Sequence, residues 1–269
     1  MKRWSWMVLL LTILLAAVWI FWPEKAQEQS GLELSGEKIS GQPESWTGSR
    51  TLNLSSDSSM PIWQEPSDMA NLLSVPYISQ EEQYPTGCES VSAVMLLQYW
   101  GVSITVDEFI DEHLSCGALY WSGGKLYGPD PNDRFVGNPR ETTSYGCYAP
   151  VIERALHSFL LPSKLRVLNR TGAAFTDLTT YIDRGEPVLI WATIDMKTSY
   201  PGAVWTDEAT GLPFQWTANE HCLVLVGYDD DYYYCNDPYQ SRGLVGYPRA
   251  LLEQRYQEMG SQAIALSET

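Results

Sequence analysis

The chain has 269 residues, with 17 Lys or Arg against 33 Asp or Glu, a formal net charge of −16. That length suits one domain of good size plus appendages. The acidic balance argues against nucleic acid as a partner, because phosphate binding needs clustered Lys and Arg. An acidic surface serves solubility equally well and points to no other partner.

Taken in order, Lys2 and Arg3 precede an apolar run from Trp4 to Trp22, broken only by Ser5 and Thr12. A helix of that length spans a bilayer core. The run ends in bulky residues, and Leu15 stands where a cleavage site would need a small one, so an uncleaved anchor over 1–22 is expected. Trp4, Trp6, Trp19 and Trp22 fall where interfacial anchors sit, and the basic residues keep the N-terminus inside. The predicted location is therefore the cell membrane, single-pass, with the C-terminal domain outside; secretion after cleavage is the alternative. Residues 23–70, rich in Ser, Gly, Glu and Gln, lack the apolar content to offset chain entropy and read as a tether.

The globular part is predicted over 71–269. Val75–Gly101 reads as an extended lead-in, a Gly/Pro turn, and a helix beginning at Cys88 with Val91, Val94, Met95 and Gln98 on one face. Gly101 is a suitable stop. A thiol at a helix N-terminus meets unpaired N–H groups and the positive end of the macrodipole, which predicts a lowered pKa. The competing reading, a small buried hydrophobe, is left open by these residues alone. Thr105 and Glu108 form a capping-box pattern, with Phe109, Ile110 and Leu114 giving a short amphipathic helix.

From Ser115 to Gly146 periodicity is lost. The aromatics Tyr120, Trp121, Tyr127, Phe135 and Tyr145 either line a groove or make a satellite core. Helices are predicted over Ala149–Phe159 and Phe175–Arg184, and strands over Leu165–Leu168 and the apolar run Pro187–Thr193. Trp205–Trp216 reads as a hairpin or loop, and His221–Pro238 as two strands around an acidic turn. Helices first and strands later imply an α+β fold.

Of three histidines, His113 and His157 lie in helices and read as surface or packing residues. His221 opens a strand after Asn219 and Glu220, where the strand end is expected to meet solvent. Pairing around Asp230 places Asp237 opposite Leu223 and diagonal to His221, on one face. Cys88, His221 and Asp237 then offer nucleophile, base and orienter. The Cys88 N–H and the side chain of Gln80, or as second choice Gln83, are the candidate oxyanion donors. The cysteines lack C-x-x-C spacing and the histidines H-x-x-x-H spacing, so neither metal nor cofactor is expected. Cys222 and Cys235 fall on opposite faces. Cys116 and Cys147 bracket the long loop and either pair or stay free thiols.

The segment V-P-Y-I-S-Q with Y-P-T-G-C-E-S, the later H-C-L-V-L-V-G-Y-D, and N-D-P together resemble papain-like cysteine peptidases related to the double-glycine leader peptidases. The likeness covers roughly Leu73 to Leu266. It implies a papain-like fold, a peptide or protein substrate, Cys88 as nucleophile, His221 as base, Asp237 as orienter and Gln80 as oxyanion donor. No transporter or ATP-binding cassette accompanies the domain, so leader processing during export is not implied. A cell-wall peptide hydrolase or transferase of the same fold, a non-catalytic binding module and an envelope assembly factor are the alternatives. Oligomeric state is left open.

Overall fold

The computed structural model describes residues 71–160 and 164–268. The expected anchor over 1–22 and tether over 23–70 lie outside them. Among the described residues no helix is long and apolar enough to cross a membrane.

A wholly apolar strand must be covered on both faces. Val188–Thr193 (β7) is such a strand, buried at all six positions. It lies inside a seven-stranded sheet whose neighbours all run antiparallel. In chain order the other members are Asn71–Leu72 (β1), Leu165–Asn169 (β6), Glu220–Tyr228 (β10), Tyr232–Asp237 (β11), Gly243–Pro248 (β12) and Ala263–Glu268 (β13). Their order is β12-β11-β10-β7-β13-β6, with β1 on β10. The acidic turn joins β10 to β11 in the expected register, Val224 opposite Asn236 and Leu225 opposite Cys235, before a bulge shifts the pairing near the turn. The sequence period of two then sorts side chains to opposite faces. Cys222, Val224 and Val226 enter one core, while Leu223 and Leu225 enter the other.

On the first face lie Cys88–Tyr99 (α1), the single turn Val106–Glu108 (α2) and Ala149–Leu160 (α3); Phe175–Asp183 (α4) and Arg249–Glu258 (α5) cover the second. The helix α1 differs from expectation. Every residue from Cys88 to Leu97 is buried, so its polar Glu89, Ser90 and Ser92 lie inside along with the apolar positions. A helix closed in on all sides shows no single apolar stripe. The capping box forms as predicted, with Thr105 Oγ1 accepting from the Glu108 N–H and the Glu108 carboxylate accepting from the Thr105 N–H. The following residues, Phe109–His113, wind into a π-helical turn.

The stretch 115–146 is less irregular than its composition suggests. It carries the short strands Cys116–Gly117 (β2), Tyr120–Ser122 (β3), Lys125–Gly128 (β4) and Phe135–Val136 (β5). β3 and β4 join the hairpin Tyr200–Asp207 (β8) and Pro213–Ala218 (β9) in a second, four-stranded sheet. The aromatics there divide. Phe135 enters the main core and Tyr145 packs on Trp205 and Trp216, whereas Tyr120 and Trp121 are exposed.

Leu223 is fully buried in the second core. Leu223→Ala is expected to cost about 2–5 kcal/mol and lower the melting temperature by roughly 5–15 °C. The exposed Leu212→Ala should leave it within about 2 °C. Circular dichroism melts of the full chain check both.

Candidate active site

The lead-in segment fixes where α1 begins. The Gln80 N–H donates to Pro238 O at 3.0 Å, Tyr84 N–H to Gln80 O at 2.9 Å, and Gly87 N–H to Tyr84 O at 2.9 Å. Gly87 is the residue before the helix, and a Cβ there would stand 2.9 Å from Tyr84 Cβ and 3.0 Å from Pro139 Cβ. Only glycine lets the chain turn this tightly into Cys88.

At the far end of the main sheet, β10 and β11 bring His221 and Asp237 together. His221 Nε2 lies 2.7 Å from Asp237 Oδ1, and both side chains are buried. The Asp237 carboxylate is fully engaged. Oδ1 also accepts from the Tyr239 N–H at 2.9 Å, and Oδ2 accepts from Tyr247 Oη at 2.5 Å and Arg242 Nη1 at 3.3 Å. Arg242 also pairs with Asp195. Burial alone would raise the Asp237 carboxyl. Attraction to His221 and the hydrogen bonds from His221, Tyr247 and the Tyr239 N–H outweigh it and hold the group below the usual range.

Cys88 is 6% exposed, and it does not hydrogen-bond to His221. Its thiol donates instead to Glu89 Oε2 at 3.3 Å. It is nevertheless lodged against both sequence neighbours of His221. The Cys88, Glu89 and Glu220 donor atoms all lie within 4.8 Å of one another, and the Cys222 backbone N–H favours the thiolate. The lowered pKa expected from the helix N-terminus is corrected here. Burial pushes the thiol well up, and the Glu89 and Glu220 carboxyls add to it. A macrodipole worth about half a charge does not offset full desolvation beside two acids.

Glu220 is the second correction. The strand end does not meet solvent there, and Glu220 is buried with Oε1 lacking a hydrogen-bond partner. Glu89 is completely buried, and its Oε1 accepts from the Cys147 N–H at 2.6 Å. Burial raises Glu89 to about 7 and Glu220 well above its ordinary value. One thiol and two carboxyls fall short of the four donors of a closed structural zinc site.

Gln80 is buried, as an oxyanion donor beside the nucleophile would be, and its Nε2 donates to Pro85 O at 3.1 Å. A primary amide has a second N–H to give. Gln83 is exposed and is set aside. His113 accepts or donates at Nδ1 with Ser158 Oγ, 3.0 Å away, and His157 is exposed, so both are packing or surface residues as expected. All five cysteines are free. Cys116 is exposed and Cys147 buried, so they do not pair.

Sequence reasoning missed Glu89, Tyr247 and Arg242. The signal for Glu89 was its place next to Cys88 inside an otherwise small and apolar helix, where a carboxyl has no solvent to face. Nothing local marked Tyr247, which reaches Asp237 from a different strand.

A helix that begins at a cysteine, packed against a sheet that carries a buried His–Asp pair, is the architecture of cysteine peptidases of mixed α and β fold. Residues 72–264 match the model of the Peptidase_C39 like family, and the chain belongs to that family. A Bacillus anthracis structure assigned as a C39-like peptidase superposes with a TM-score of 0.66 at 29% identity, covering 75% of this chain and 99% of its own. The uncharacterized protein YvpB of Bacillus subtilis (strain 168) is 29% identical over 181 residues, 67% of this chain and 68% of YvpB. A double glycine motif protease from an AMS/PCAT transporter, solved with its leader peptide, is far more distant at 17% identity and a TM-score of 0.40.

A carboxyl whose folded pKa lies below its unfolded value contributes stability that is complete above the unfolded pKa and lost as pH falls through the folded one. For Asp237 the unfolded value is near 3.8. Thermal melts of the full chain should therefore fall as pH drops below about 4. Asp237→Asn should show a lower melting temperature at neutral pH, by the roughly 3–5 kcal/mol of a broken buried pair. It should also show a shallower acid decline. An unchanged acid limb in the variant would remove this assignment.

Proposed function

We propose that the chain is a membrane-anchored, extracytoplasmic cysteine peptidase that hydrolyses peptide bonds through Cys88, His221 and Asp237. The observation that carries this is the 2.7 Å bond between His221 Nε2 and Asp237 Oδ1. It ties up one ring nitrogen in a buried carboxylate and leaves Nδ1 for the thiol that lies against Glu220 and Cys222 on either side of this histidine. Family membership supports the same chemistry. The apolar run from Trp4 to Trp22 behind Lys2 and Arg3 supports the anchor and the outward-facing domain.

In this mechanism the Cys88 proton passes to His221 Nδ1, and the sulfur forms a bond to the peptide carbonyl carbon. The developing oxyanion is met by the Cys88 N–H and by the free N–H of the Gln80 amide. The imidazolium, steadied by Asp237, gives its proton to the departing amine as the C–N bond breaks. A thioester remains. Water then attacks, with His221 taking its proton, and the acid product leaves Cys88 as a thiol.

Iodoacetamide labelling of the full chain at pH 6, read by mass spectrometry, tests the nucleophile. Cys116 lies outside the His221 site, with no base to take its proton, so it remains a neutral thiol at that pH. Cys88 should be labelled preferentially, and His221→Ala should slow it by roughly tenfold or more. Labelling of Cys88 no faster than that of the other cysteines, and unchanged in the variant, would overturn the peptidase reading.

A further inference from the structure

The catalytic scheme leaves two buried carboxyls without a role, and they touch the nucleophile. Glu89 follows Cys88 in α1, and Glu220 precedes His221 in β10. Glu89 is held from both sides, Oε1 by the Cys147 N–H at 2.6 Å and Oε2 by the Cys88 thiol at 3.3 Å. Glu220 Oε1 has no hydrogen-bond partner among the described residues. The backbone is shaped around both acids at Gly146, whose φ is +140°. A Cβ there would stand 2.5 Å from Glu89 Oε1 and 3.0 Å from Glu220 Oε2. A side chain at Gly146 would press on both carboxyls.

Two carboxylates this close, shut away from water, cannot both be ionised. The surroundings decide how much charge they keep. The titratable groups that act electrostatically on them are Cys88 on α1, Cys116 on β2, Cys147 and Tyr148 ahead of α3, and His221 and Cys222 on β10. None of these is a lysine or arginine. Burial pushes Cys147 and Cys222 well up and Tyr148 to about 12, so all three are neutral near pH 7. His221 is left as the one neighbour that takes a positive charge.

We propose, building on the peptidase reading, that Glu89 is a positioning residue. By holding or releasing its proton beside Glu220, it sets the pH range in which Cys88 gives up its proton to His221. While both carboxyls hold their own protons, the thiolate meets no like charge and the thiolate–imidazolium state forms. Once Glu89 ionises, a carboxylate 3.3 Å from the sulfur accepts the thiol proton in a hydrogen bond and opposes the thiolate. The site then works on the acid side of neutrality and shuts above it. An ordinary cysteine does the reverse and grows more reactive as pH rises towards its pKa.

The rate of iodoacetamide labelling at Cys88, followed from pH 5 to 9 on the full chain, tests this. In the wild type it should fall by about tenfold as pH rises through the ionisation of Glu89, near 7. Glu89→Gln keeps an acceptor for the Cys147 N–H but removes the charge, and should abolish that fall. Glu220→Gln places an amide donor beside Glu89, ionises it more easily, and should move the fall to lower pH. A wild-type alkaline limb retained in Glu89→Gln, or unmoved in Glu220→Gln, overturns the proposal while the peptidase reading stands. Loss of His221-dependent labelling at every pH overturns that reading first. Thermal melts of the wild type give an independent check that needs no variant. A carboxyl raised from 4.5 to about 7 on folding contributes stability that is lost as pH rises between those values. Melting temperatures that do not decline across that window would contradict a Glu89 that keeps its proton in the folded site.

Discussion

Everything at this end of the molecule depends on keeping one carboxylate charged where there is no water. Asp237 is wholly buried, and an unpaired charge there would cost several kcal/mol. The fold meets that cost with four donors drawn from separate places: His221 on β10, Tyr247 and Arg242 on or beside β12, and a backbone N–H just past β11. Its own carbonyl is used too, accepting from Tyr77 at 3.2 Å, and the next carbonyl, Pro238, takes the N–H of Gln80. The aspartate is thus the point where the sheet is tied to the lead-in segment that starts the cysteine helix.

The electrostatics around Cys88 run the opposite way. Here the site supplies no cation except His221, buries the thiol, and sets two acids against it. Helix position, which by itself favours a thiolate, is a first-turn effect worth well under the desolvation of a fully enclosed group. The resting thiol therefore holds its proton. In the proposed mechanism charge separation waits on the imidazole, which Asp237 holds through Nε2.

Much of this was legible in the sequence, because it rests on local signals. The capping box at Thr105, the buried strand from Val188, and the hairpin register that aligns Asp237 with His221 all follow from spacing and turn chemistry, and all are present. Cys222 and Cys235 fall on opposite faces for the same reason. What the sequence did not disclose are facts of tertiary enclosure. Glu220 looks like a solvent-facing strand end until the fold buries it, its carboxyl, that of Glu89 and the Trp216 ring all meeting at Gly146. Glu89 looks like an ordinary first-turn acid, favourable to the helix dipole, until α1 is buried on every side. The pKa of Cys88 was misjudged because the helix terminus is visible in sequence and burial is not. Short strands within 115–146 were hidden because runs of two to four residues leave no period to read.

The most direct test of the account is cleavage itself. The full chain would be incubated at pH 6 with a diverse synthetic peptide library and the products identified by mass spectrometry, beside Cys88→Ala and His221→Ala. The account predicts new peptide termini with the wild type and none with either variant. Termini that persist in Cys88→Ala, or a wild type that cleaves nothing in the library while its Cys88 and His221 remain intact and folded, would contradict it.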